Sequence, residues 1–436
     1  MSRSGSSRRH PVALALAASV CIGLLAFGAA ASAAPIGQRD TVEIELLITV
    51  NSKPGWDLVI PNFERVHPDI DVHVDYAQNN DSLYQLEITR LAAGNAPALL
   101  ATSPGCGTPI ALCALGKAGH LAPMLKKPWA SNKRSPTLLT SYGKVGPSLV
   151  GFVPQVAPTG IYTNDSLFAR LGLKVPQTYA QLLDVCRKAK AGGTSAIILA
   201  GPATSTSQLI IGLVVPMVYG KDRQWNGKLK AGKASFSSSS GWRRGLQRFV
   251  EMNQAGCFQP GATGVTSGAT QAVLFAQGQG LMFYIGSNTK GLIDAANPRF
   301  EYSFHRFPGA TTATETTTII SLLQAISVNA HASAREQAAA QTFVDFLARP
   351  QQNELFAKAT GGLTQYQFLK GELPDELASF AKLFAEKKYV VNPPSEWWNG
   401  SVSRALQQNQ VGLLTGQRSV DDILEAMDAA WKQGPT

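Results

Sequence analysis

Apolar and polar positions alternate along this chain in a way that predicts helices and strands in turn. The stretch on which the others depend runs from Asn79 to Ser103. Asp81 can cap a first turn, and Leu83, Leu86, Ile88, Leu91 and Ala92 mark one apolar face of a helix. Gly94 and Asn95 tolerate the left-handed conformation that closes a helix, and Pro97 cannot continue one. Ala98 to Thr102 is then apolar throughout, as the interior of a parallel sheet covered on both faces requires. Upstream, Val42 to Val50 reads as a strand, Trp56 to His67 as a helix with Leu58, Val59, Phe63 and Val66 inward, and Ile70 to Tyr76 as a second strand. In open sheets of this kind, ligands sit beyond the carboxyl ends of the strands, where Ser103 falls.

Further on, a helix is expected from Thr108, irregular surface over 126–150, and a helix capped by Thr178 with Gln181. Thr194 to Gly201 reads as a strand and Leu209 to Val218 as a buried helix. Asn226-Gly227 signals a hairpin, with Trp225 at the surface. Helices capped by Ser333 with Glu336, and by Ser419 with Asp422, follow.

Composition changes the picture in three places. At 436 residues, 44% apolar and 16% charged, the chain exceeds one compact domain, so two lobes are expected. Residues 1–33 read as an export signal, with a basic start, an apolar run and Ala31-Ser32-Ala33 for cleavage. Cys21 raises lipid modification, but Val20 occupies the place of a small residue and the apolar run continues past it, so free secretion is expected. Loss of Arg3, Arg8 and Arg9 takes the net charge from +10 to +7, spread over short basic doublets without interleaved aromatics, which argues against nucleic acid.

Catalytic motifs are missing. Gly227 to Lys233 resembles a phosphate loop, but Ala234 replaces the hydroxyl residue, and the segment follows a hairpin and enters SFSSSS where a phosphate loop needs a strand before and a helix after. Neither G-x-S-x-G nor H-E-x-x-H occurs, and the six histidines are dispersed, so neither metal nor cofactor is expected.

The segments FERVHPDIDVHVDY, DSLYQLEITRLAAGNAP, GFVPQVAPTGIYTNDSLFARLGLKVPQTYAQLL and LLTGQRSVDDILEAM stand in an order that resembles the family 1 extracellular solute-binding proteins of ABC importers, typically sugar binders of the maltose-binding type. Three departures are visible: Ala98 stands where the family carries Asp after its GNAP turn, Tyr179 replaces a Trp, and Asn288 stands where a Gly-x-Trp strand end would supply a stacking ring. The resemblance implies an α/β, periplasmic-binding-protein-like fold of class II, each lobe a mostly parallel sheet flanked by helices. Lobe 1 would comprise 41–156 plus 323–366, and lobe 2 157–322 plus 367–436. It further implies a monomeric non-enzyme that closes its lobes on a carbohydrate and presents it to the permease.

Sugar hydroxyls call for planar polar groups, and ring faces call for aromatic platforms. The candidates at expected strand ends are Asn51, Lys53, Asn80, Asp81, Ser103, Thr159, Ser287 and Asn288, with Trp56, Trp397 and Trp398 as aromatics. Asp81 could equally serve only as a cap. Four mature cysteines allow three pairings, and Cys106–Cys113 with Cys186–Cys257 is preferred because each pair would lie within one lobe. Alternatives are a surface lectin or adhesin on the same fold, a binder of polyol phosphates using Lys53, or a hydrolase.

Overall fold

The computed structural model describes residues 41–124, 127–130, 144–145 and 148–434. The export signal, Cys21 and most of the irregular stretch expected over 126–150 lie outside the described residues. Among the described residues, no helix is long and apolar enough to cross a membrane.

The chain opens with β1 (Val42–Thr49), α1 (Lys53–Val66), β2 (Ile70–Ala77), α2 (Asn80–Ala92) and β3 (Leu99–Thr102). Strands β2 and β3 pair with β1 in parallel on either side, and β3 is buried over its whole length. Asn79, not Asp81, caps α2, accepting from the Ser82 amide, because Asn79 is the last extended residue before the turn. The buried face of α2 is also narrower than its periodicity predicts. Leu83 and Glu87 point inward, while Leu86 and Ile88 are exposed.

After the short α3 (Leu112–Lys117), the chain enters a second sheet at β4 (Val156–Asn164). There follow α4 (Tyr179–Ala191), β5 (Ser195–Ile197), α5 (Thr204–Val214), α6 (Ser240–Gln254), β6 (Gly280–Gly286), α7 (Lys290–Ala295), β7 (Tyr302–Arg306) and β8 (Thr318–Leu322). The strand expected over 194–201 is shorter than its apolar run. The hairpin expected at Asn226-Gly227 is instead a helix, Trp225–Lys230, and Trp225 is buried against Phe236 and Trp242. Burial of that ring outweighs the local turn preference.

Only Leu323 and Gln324 separate β8 from β9 (Ala325–Val328), which returns to the first sheet antiparallel to β3. Helices α8 (Ala334–Leu347) and α9 (Pro350–Thr360) then pack on the first sheet and α1. The chain crosses again to β10 (Tyr389–Val391), parallel to β8, and ends in α10 (Ser401–Thr415) and α11 (Val420–Trp431). The sheets therefore run β9-β3-β1-β2 and β10-β8-β4-β6-β5, with β7 also on β4. This is a two-lobed α/β fold with three passages between the lobes.

Candidate functional site

Two cavities lie between the sheets and share Asn80, Asp81, Thr204, Gln208 and Gln324, so they form one groove. The first, of about 190 Å³, is bounded by the start of α2, the loop after β3, the starts of α5 and α10, and the segment before α10. The second, of about 110 Å³, continues past Asn51, Asn79, Gln155, Ser267 and Asn288.

Each wall is fixed by its own sequence. Capping by Asn79 orients the first turn of α2, which brings Asn80, Asp81 and Tyr84 to the groove. Gln410, fully buried on α10, donates to the Gly201 and Ala203 carbonyls and accepts from the Ser207 hydroxyl, locking α10 onto the start of α5. Ser403, Arg404 and Gln407 are thereby held at the groove.

The two walls touch in several places. Gln407 Nε2 donates to Asp81 Oδ2 at 2.7 Å. The Cys106 amide donates to the Ser395 carbonyl, and the Ser403 hydroxyl to that of Gly107. Approach is so close that a Cβ on Gly107 would overlap the Pro394 carbonyl. A disulfide joins Cys106 to Cys113 across this loop, and a second joins Cys186 to Cys257 in lobe 2.

Of the residues expected at the site, Asn51, Asn80, Asp81, Ser103 and Asn288 do border the groove. The others, Trp397 excepted, do not. Lys53 lies outside, bound to Asp57 one turn away, because α1 turns its first residue to solvent. Trp56 has no exposed surface and packs against Phe343 and Phe356, on the inward face of α1. Thr159 is buried in the middle of β4, between β6 and β8. Ser287 is buried on the side of its turn away from the groove. Trp397 lines the first cavity without exposed surface, its ring packed among Phe236 and Trp242. Trp398 stacks on Trp431 at 4.2 Å, clear of the groove.

Sequence reasoning missed Tyr84, which lines the groove along with Trp397. Its phenol is pushed up to about 12, chiefly by burial, with an opposing hydrogen bond to Ser103 and added push from Asp81 and Glu87. It therefore stays neutral, able to donate and accept. Its place one turn after the Asn79 cap was a usable signal. The α5 and α10 residues left none, since only the passages between lobes carry those helices to the groove. The lining is mostly amides and hydroxyls, with one carboxylate and one guanidinium, from Asp81 and Arg404. Among the described residues, no three groups converge as a metal site.

A two-lobed fold with a neutral polar groove between its sheets defines a solute-binding protein. The bacterial extracellular solute-binding protein family model matches residues 49–354, more than half of the chain, and the chain belongs to that family. It is 23% identical over 407 residues to the multiple sugar-binding protein of Streptococcus mutans, covering 91% of this chain and 93% of that one. The solute-binding protein RafE in complex with raffinose has the same fold, with a TM-score of 0.72, 20% identity, and 90% and 99% of the two chains covered. So has a Thermotoga lettingae ABC-transporter solute-binding protein bound with α-D-tagatose, at TM-score 0.74, 17% identity, and 90% and 99% coverage.

Proposed function

We propose that this protein is the exported solute-binding component of an ABC importer and captures a carbohydrate without transforming it. One observation carries the reading: side chains from both lobes converge on a groove of neutral amides and hydroxyls, with the Tyr84 ring among them. Such groups donate and accept at once, matching sugar hydroxyls, while an aromatic face suits the apolar side of a ring. The relatives named for sugars support the same class of ligand.

Lobe 1, as 41–156 plus 323–366, and lobe 2, as 157–322 plus 367–436, would close about the three passages. Closure is favoured only by contacts made in the closed state alone, and moving from 1:99 to 99:1 takes about 5.5 kcal/mol of differential binding. Several hydrogen bonds at about 1 kcal/mol each and one ring contact reach that scale. The closed molecule, working as a monomer, would be the form that the permease reads. The polyol-phosphate alternative loses its basis in Lys53, which lies outside the groove.

A thermal-shift screen of the mature protein against mono- and oligosaccharides tests this reading. A cognate sugar at 100 times its Kd adds about 2.7 kcal/mol and contracts the molecule in solution scattering. Sugar turnover, or no stabilisation by any sugar, would overturn it.

A further inference from the structure

A cavity larger than the groove lies elsewhere. A crevice of about 1030 Å³ opens on the other side of the turn that carries Asn288. Asn288 borders the groove, and its neighbour Ser287 borders the crevice. One wall comes from lobe 1, through Glu354 and Lys358 on α9, and the other from α7 and β7 of lobe 2.

Two independent features mark it as a binding site. Ser287 is 2% exposed, yet its hydroxyl has no partner in the protein. The lining also carries five carboxylates, Asp294, Glu301, Glu354, Asp375 and Glu376, against two lysines, Lys290 and Lys358. This local excess of three negative charges sits on a chain whose net charge is +10. Burial lowers the pKa of His305 in the same lining, so it adds no positive charge at neutral pH.

The crevice already holds one ammonium. Lys290 Nζ meets Asp294 Oδ2 at 2.7 Å and lies 5.9 Å from the centre of the Tyr302 ring, whose hydroxyl also bonds Asp294. Glu301, Glu354, Asp375 and Glu376 are exposed and make no ion pair among the described residues. They are dispersed, and no three of them could hold one metal ion.

We propose that this crevice binds an extended organic polycation of the polyamine class. Its ammonium groups would span the separate carboxylates, lie against Tyr302, and donate to the Ser287 hydroxyl. Because the walls belong to different lobes, occupancy biases the lobe angle, and amine and groove ligand must alter each other's affinity by the same factor. That linkage rests on the proposed sugar function, whereas amine binding itself does not.

Titration calorimetry of the purified protein with spermidine in 150 mM salt tests the proposal. We expect saturable binding, weakened at least tenfold in Glu301→Gln/Glu354→Gln, which alters one exposed, unpaired carboxylate on each wall and leaves sugar binding without amine unchanged. Ser287→Ala is expected to weaken spermidine binding several-fold. The absence of saturable binding, equal binding by the double variant, or full displacement by magnesium at matched ionic strength would each overturn it. None of these results would touch the sugar reading.

Discussion

Gln407, on a helix of the second lobe, donates its side-chain amide to the carboxylate of Asp81, on a helix of the first, at 2.7 Å. One hydrogen bond thus spans the mouth of the groove and helps to hold the walls together. Such a bond contributes about 0.5–1.5 kcal/mol net, or about two- to tenfold in an equilibrium. Gln407→Ala is expected to raise the sugar Kd by that factor and enlarge the unliganded molecule in solution scattering. Gln407→Glu, which faces Asp81 with a like charge, should do more. Unchanged scattering and affinity in both variants would show that the contact does not bias closure.

On the proposed sugar reading the aromatic contact falls to Tyr84, because Trp397, the other aromatic lining the groove, has no exposed surface. Tyr84→Ala should weaken sugar binding by about 1–2 kcal/mol, from lost ring contact and the lost hydroxyl. Trp56→Ala should leave ligand contacts intact while costing about 3–5 kcal/mol of stability, since it empties a closed part of the core. Denaturant melts and calorimetry on the two variants separate the roles. The opposite pattern would return the ligand to Trp56.

How much of this could be read beforehand follows from where each contact originates. The β1-to-β3 unit was legible because its apolar spacing is local. The groove positions of Asn80, Asp81 and Ser103 followed from the rule about strand ends. Trp56 was misplaced because a Trp near a strand end reads alike whether its helix turns it inward or outward. Trp225 was misplaced because an Asn-Gly turn signal ignores the rings of Phe236 and Trp242, which arrive from later in the chain.

Glycine at position 107 is required by the opposite lobe, since a methyl group there would overlap the Pro394 carbonyl. Gly107→Ala should therefore act as a wedge. Closure would be impaired and sugar affinity lowered about tenfold, at ~1.4 kcal/mol. The melting temperature without ligand should change little, because the clash is between lobes and not within a core. Wild-type affinity in Gly107→Ala would show that the loop yields without cost.

Glu87 faces inward one turn after Leu83, fully buried, with neither carboxylate oxygen hydrogen-bonded. Burial alone raises its pKa well above the ordinary carboxylate value. In the unfolded chain it titrates near ~4.3. Its contribution to stability is therefore fully present below that pH and is lost as pH rises through the folded value, because the unfolded state releases the proton first. Glu87→Met removes both the titration and the unsatisfied oxygens, and should stabilise by about 1–3 kcal/mol at neutral pH. The gap to wild type should widen from pH 4 towards pH 8 in urea melts. The same helix presents Asn80, Asp81 and Tyr84 to the groove, so alkaline pH should also weaken sugar binding in the wild type and not in Glu87→Met. A stability gap that stays constant across this range would mean that Glu87 ionises equally in both states.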